Sequence, residues 1–255
     1  MSLEFIRRTS QKQKKIVRKW KDVLQKTGAN EKEIESFCSN IRPLVESAMT
    51  KKDTQQISDF LDSFIDTFED INRGLEYAHE VTFVKSASKE QFAKKWESIF
   101  YLYGYLSISE GVYCETVQLI SFLLLANCHD IYDPRRMKFA KKCGDLDQID
   151  IYVKLQFLKE HGFRSIVEAF DRKLRNATAH QKFIVEDNGD IIDSMTHKKI
   201  ADSKSMRQKI RKLIGVSAVT TYAIGSELFS SCIRVIGKEK LAIETSLSLI
   251  KNHTP

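Results

Sequence analysis

Arginine and histidine together can carry out acid–base chemistry at a phosphate. One segment of the chain sets them close together: Leu174-Arg175-Asn176-Ala177-Thr178-Ala179-His180. An imidazole moves protons near neutral pH. A guanidinium stays charged, and its planar fork matches the oxygens of a phosphoryl group. On an ideal helix, positions four apart differ by about 40° and positions five apart by about 140°. Asn176 is therefore expected beside His180, hydrogen-bonding its ring and fixing the tautomer. Arg175 points elsewhere unless the helix ends before His180. Ala177 and Ala179 keep this helix thin, which suits a two-fold contact between two copies of the chain. Arg172 and Lys173, about one turn earlier, can hold flanking phosphates. The structural alternative makes His180 a helix cap and pairs Arg175 with Asp171, four residues before it.

An Arg followed by a polar residue, with a His after four to six intervening residues, resembles the signature of the HEPN superfamily, many of whose members are ribonucleases. Arg175, Asn176 and His180 fit that signature. Arg73 and His79 fit the spacing too, but Gly74 follows the arginine. The resemblance is carried by this motif and, more loosely, by a helical bundle over residues 86–252. It implies a metal-independent endoribonuclease with Arg175, Asn176 and His180 catalytic and Arg172 and Lys173 binding RNA. It also implies a homodimer with a composite site, and a role as a toxin or antiviral effector. The ribose 2′-hydroxyl would attack its own phosphate, so no cofactor is called for and DNA is refused. Some HEPN domains keep the fold without catalysis. A non-catalytic module binding RNA, a nucleotide or a protein therefore stays open, as does a purely structural helical adaptor.

The elements that must position these residues are mostly helices. Ten Gly and three Pro in 255 residues leave few breaks, and 42% hydrophobic residues argue against disorder. Residues 3–26 read as a basic helix. Asn30 can cap a helix running past Pro43, which is expected to kink or split it. From Asp53, the series Ile57, Phe60, Leu61, Phe64, Ile65, Phe68, Ile71 and Leu75 predicts an amphipathic helix. A break near residues 81–85 follows, and Ser88 opens an aromatic-rich helix that Gly104 can interrupt before the apolar run Val117–Cys128. Asp133-Pro134 predicts the start of a short basic helix ending at Gly144. Residues 147–160 and 164–177 predict two more helices, separated by His161-Gly162. Asn188-Gly189 between two apolar runs predicts a β-hairpin with a type I′ turn. Residues 203–236 predict a long helix with small residues from Ser217 to Ser226, central in the bundle, followed by another over 238–251. The expected fold is mainly α, a HEPN-like bundle with one short hairpin after the motif. The expected division is an N-terminal helical region over 1–85 and the bundle over 86–255.

Charge and motifs narrow the function classes. The net charge is +7, with +7 in residues 1–27, −7 in residues 31–82 and +7 in the remainder. A basic arm and a basic C-terminal half suit a polyanion such as RNA. Residues 1–82 also offer a surface for a protein partner. No P-loop, dinucleotide fingerprint, G-x-S-x-G or zinc-binding pattern is found. The five cysteines form no C-x-x-C and read as buried thiols of a reducing cytosol. No signal peptide is visible, and the apolar runs read as packed helices. The expectation is a cytoplasmic protein without a membrane span.

Overall fold

The computed structural model describes residues 31–51, 70–71, 73–74, 91–127, 129–141 and 143–252. The basic helix of residues 3–26, the Asn30 cap, most of the helix expected from Asp53 to Leu75, the break at 81–85 and the Ser88 helix start lie outside the described residues. The described chain is mainly helical, with two small antiparallel sheets. In order it forms α1 (Glu31–Lys51), α2 (Gln91–Glu110), α3 (Val112–Ala126), β1 (Ile131–Asp133), β2 (Lys138–Ala140) and a 3₁₀ helix (Cys143–Gln148). Then come α4 (Ile151–Glu160), α5 (Arg164–Val167), α6 (Arg172–Ala179), β3 (Phe183–Val185), β4 (Ile191–Asp193), β5 (Lys199–Ala201) and α7 (Ser203–Asn252).

The long helix α7 organises the core. Asp202 starts it: its carboxylate accepts from Ser205 N at 2.8 Å, while Ser205 Oγ accepts from Asp202 N at 2.9 Å. Two orphan donors of the first turn are thereby satisfied reciprocally. Met206, Ile210, Leu213, Ala218, Ala223 and Ile224 are fully buried, as are Ser217, Thr220 and Thr221. These small residues let α1, α2 and α3 all pack against one helix. The helix runs through Gly237 without the break expected there. A single Gly costs a helix about 1 kcal/mol, too little to end one whose turns continue on both sides. Likewise α1 continues through Pro43 as one element. Its Ile41 and Val45 are fully buried, and Arg42 makes a two-pronged ion pair with buried Glu227 of α7, at 2.9 and 3.1 Å.

The expected interruption at Gly104 falls instead at Gly111, between α2 and α3. Gly104 is buried in mid-helix, where packing outweighs its weak propensity. Nearly all of α3 is buried. The stretch Lys94–Ala126 is long and apolar enough to cross a membrane by length and composition, yet 78% of its apolar window is buried inside the protein.

Asp133-Pro134 does not start a helix. It heads a four-residue turn joining β1 to β2, with Tyr132 opposite Phe139. The Asp133 carboxylate accepts from the N–H groups of Arg135, Arg136 and Asp150 at 3.0, 3.2 and 3.0 Å. Such side-chain capture of backbone donors competes directly with helix formation. The helix expected over 164–177 is two elements, because Asp171 caps a new start at α6 after only four residues of α5. The predicted hairpin is found and is extended by a third strand, in the order β3-β4-β5. Its turn is not type I′. Gly189 alone takes positive φ (+89°), Glu186 N bonds Asp190 O, and Gly189 N bonds Glu186 O. That is a three-residue loop, in which Asn188 needs no left-handed conformation. A Cβ at Gly189 would lie 3.1 Å from Lys94 O and from Ser98 Oγ, so the loop docks tightly on α2. Ser98 Oγ donates to Gly189 O at 2.6 Å.

Candidate functional site

All five candidate residues lie on α6 or directly after it. Asp171 opens this helix, its carboxylate accepting from Leu174 N at 3.0 Å and pairing with Lys209 of α7 at 2.6 Å. Tyr105 of α2 accepts from Asp171 N at 2.9 Å. Burial pushes the Asp171 carboxyl up, but the backbone donors and Lys209 outweigh it and hold its pKa below the usual carboxylate range. Leu174, Ala177 and Thr178 face the core. Arg172, Lys173 and His180 are exposed, while Arg175 and Asn176 are half-buried.

The C-terminal end of α6 explains where His180 sits. His180 is the cap residue, Lys182 N bonds Ala177 O at 2.8 Å, and Gln181 N bonds Thr178 O at 3.1 Å. These two bonds define a Schellman motif, whose left-handed position usually holds glycine. Here Gln181 takes it, at φ +52°. The chain turns sharply after His180, and its ring is left exposed. Among the described residues the ring has no hydrogen-bond partner.

Asn176 does not hold His180, contrary to the expectation from helical spacing. Its Oδ1 accepts from Tyr152 OH at 2.9 Å and from Arg175 Nη1 at 3.2 Å. The face of α6 carrying Asn176 meets α4, whereas His180 lies beyond the last helical residue. Arg175 does not pair with Asp171, which is committed to its capping bond and to Lys209. It pairs with Glu110, the last residue of α2, and this raises the guanidinium pKa further. Arg172 places its guanidinium over the Tyr152 ring, 4.0 Å from the centroid, a cation–π contact. The structure thus brings Arg175 and Asn176 together, with Arg172 joined to them through Tyr152. Among the described residues no contact joins His180 or Lys173 to that cluster.

Glu110 and Tyr152 were not legible as site residues. They lie 65 and 24 residues from their partners, and no spacing rule connects them. Asp150, which caps α4 by accepting from Tyr152 N at 2.8 Å, is the one local signal that Tyr152 sits at a helix start. Beside this cluster, the Cys114 thiol is pushed up to about 12 by burial, with Glu110 adding to it. Buried Lys154 donates to Gln118 Oε1, and burial lowers its pKa.

A separate cavity of about 260 Å³ lies at the other end of α4, lined in part by Leu44, Leu124, His129 and His161. His161 Nε2 lies 3.2 Å from His129 Nδ1, and none of the α6 residues borders this cavity. Among the described residues, no group of three His, Cys, Asp or Glu side chains is placed to hold a metal ion. Neither the protein-family models, nor the curated proteins, nor the solved structures compared with this chain match it.

Proposed function

We propose that the chain is a metal-independent endoribonuclease of the HEPN type, acting at Arg175 and His180. One observation carries the reading: α6 ends in a sharp reversal at His180 and leaves its imidazole exposed, directly after the short helix that holds Arg175 and Asn176. In the reaction the ribose 2′-oxygen attacks the adjacent phosphorus and the bond to the 5′-oxygen breaks. The products are a 2′,3′-cyclic phosphate and a 5′-hydroxyl. His180 takes the proton from the 2′-hydroxyl, the leaving 5′-oxygen collects one from water, and Arg175 stabilises the added charge on the phosphoryl oxygens. Arg172 and Lys173 hold neighbouring phosphates. The nucleophile belongs to the substrate, so the scheme calls for no metal. A homodimer places a second copy of the motif opposite the first. Substrate phosphate competes with Glu110 for the Arg175 guanidinium.

With single-stranded RNA in EDTA, the full-length protein is expected to yield fragments ending in 2′,3′-cyclic phosphate. His180→Ala should lower the rate by at least about 100-fold, the scale of a lost acid–base group. Undiminished cleavage by that variant would remove His180 from the mechanism.

The Arg175–Glu110 pair favours a second reading, a non-catalytic module in which Arg175 ties α6 to α2. Glu110→Gln separates the two. A nuclease freed of its internal competitor should cleave RNA several-fold faster at little cost in stability, since partly exposed pairs contribute about 0–1 kcal/mol. A structural tie predicts no cleavage in either form and a lower Tm.

A further inference from the structure

We infer that the β1–β2 hairpin is a stacking platform for single-stranded RNA, which takes a base on its aromatic pair and leads the strand to α6. This inference rests on the ribonuclease reading. The hairpin has two unlike faces. Ile131, Asp133 and Ala140 are buried, while Tyr132 and Phe139 stand exposed on the other side at 44% and 56%. Their rings are already stacked, with centroids 4.4 Å apart and planes at 28°. A nucleobase extends such a stack on an outer ring face without sequence preference.

The charge around this pair is mainly basic, with exposed Asp130 before Tyr132 and Asp145, which accepts from Lys141 N at 3.1 Å, as the acidic groups nearby. Arg135, Arg136, Lys138 and Lys141 are exposed here, Lys138 donating to Gln148 Oε1 at 2.6 Å, and the carboxylate of the hairpin itself, Asp133, is buried. Lys141 lies 5.9 Å from the Phe139 centroid, within reach of the phosphate of a stacked nucleotide. Arg136 serves the architecture instead: it donates to Gln148 O at 3.0 Å and pairs with Asp150 at 3.7 Å. Those contacts fix the hairpin to the start of α4. Two residues beyond Asp150 stands Tyr152, which carries Arg172 on its ring and binds Asn176. The platform and the motif therefore meet through one helix end, and a strand stacked on Phe139 or Tyr132 can continue onto Arg172. A protein partner would seek a broader apolar surface than two rings and the exposed Met137 side chain supply.

The test uses the full chain and a labelled, non-cleavable 2′-O-methyl oligouridine, read by fluorescence anisotropy across a salt series. Tyr132→Leu/Phe139→Leu keeps apolar bulk but removes the ring faces, and should weaken binding by about tenfold. Arg135→Gln/Lys138→Gln/Lys141→Gln keeps the rings, and should reduce the slope of log K against log salt by about 2. In the cleavage assay both variants should raise KM and leave kcat unchanged. Circular dichroism checks that each is folded, and the charge variant remains informative if the ring variant is not. Wild-type affinity and slope in the folded variants would overturn the platform while leaving the ribonuclease reading intact. A wild-type chain that binds no single strand even at low salt would overturn both. Unaltered RNA binding with lost affinity for an acidic peptide would make the hairpin a protein-docking surface and overturn the proposal.

Discussion

Asn176 shows how one amide can be claimed by the wrong neighbour in a reading from spacing alone. Four residues before His180, it is expected to orient that ring, yet its oxygen accepts from Tyr152 and Arg175. Helical geometry sets direction but not which tertiary partner arrives, and α4 arrives on the Asn176 side. Arg175, Asn176 and His180 were legible as residue types at a spacing, whereas Glu110, Tyr152 and Lys209 became legible only through folding. Asp171 bears a pH consequence. Its folded pKa is depressed, so its contribution to stability is complete above the unfolded carboxylate value of about 4 and is lost as pH falls through the lower folded value. Tm should therefore fall as the pH drops below about 5, and Asp171→Asn should flatten that fall. A variant whose Tm follows the same acid profile as wild type would show that the cap and Lys209 do not set the shift.

Among the described residues, the helices α4 and α6 end in the same way, and only one of these ends was visible in advance. At the end of α4, Gly162 takes φ +91°, Phe163 N bonds Leu158 O at 2.9 Å and Gly162 N bonds Lys159 O at 3.3 Å. His161-Gly162 announced that stop. At the end of α6 the same pair of bonds forms around Gln181, a residue that gives no such signal. A left-handed conformation costs a residue with a Cβ about 1–2 kcal/mol. Gln181→Gly should thus be neutral to stabilising, by up to about 1 kcal/mol, or roughly 2–4 °C in Tm for a chain of this size. A clear loss of stability on that change would mean that the Gln181 side chain is needed where it stands. The same logic explains the other departures at this scale. Pro134 suits a first helical turn, but the Asp133 carboxylate gathers the nearby N–H groups into a turn first. Asn188-Gly189 marked the hairpin correctly, while its loop proved one residue longer than the pair implied.

Across the whole molecule, the mainly helical character and the central place of the small-residue helix were legible, because periodicity and side-chain size depend on local sequence. The assembly of α1, α2 and α3 around α7 was not, since nothing in α1 names its partner. The Arg42–Glu227 pair joins residues 185 apart. Glu227 is 6% exposed, so losing Arg42 leaves a buried carboxylate without its partner. Arg42→Met should accordingly lower Tm more than Glu227→Gln, which removes the buried charge itself. Equal effects in thermal melts would show that the Glu227 carboxylate does not depend on Arg42 for its burial.

The reversal at Gln181 has a consequence for the imidazole just before it. Backbone bonds fix where His180 leaves the helix, while no neighbour among the described residues fixes how its ring turns. Rotamer freedom held until the moment of binding must be surrendered then. The ring's final pose is consequently set by whatever it meets. A histidine of this kind works as a hand extended from a rigid arm rather than as a fixed tool.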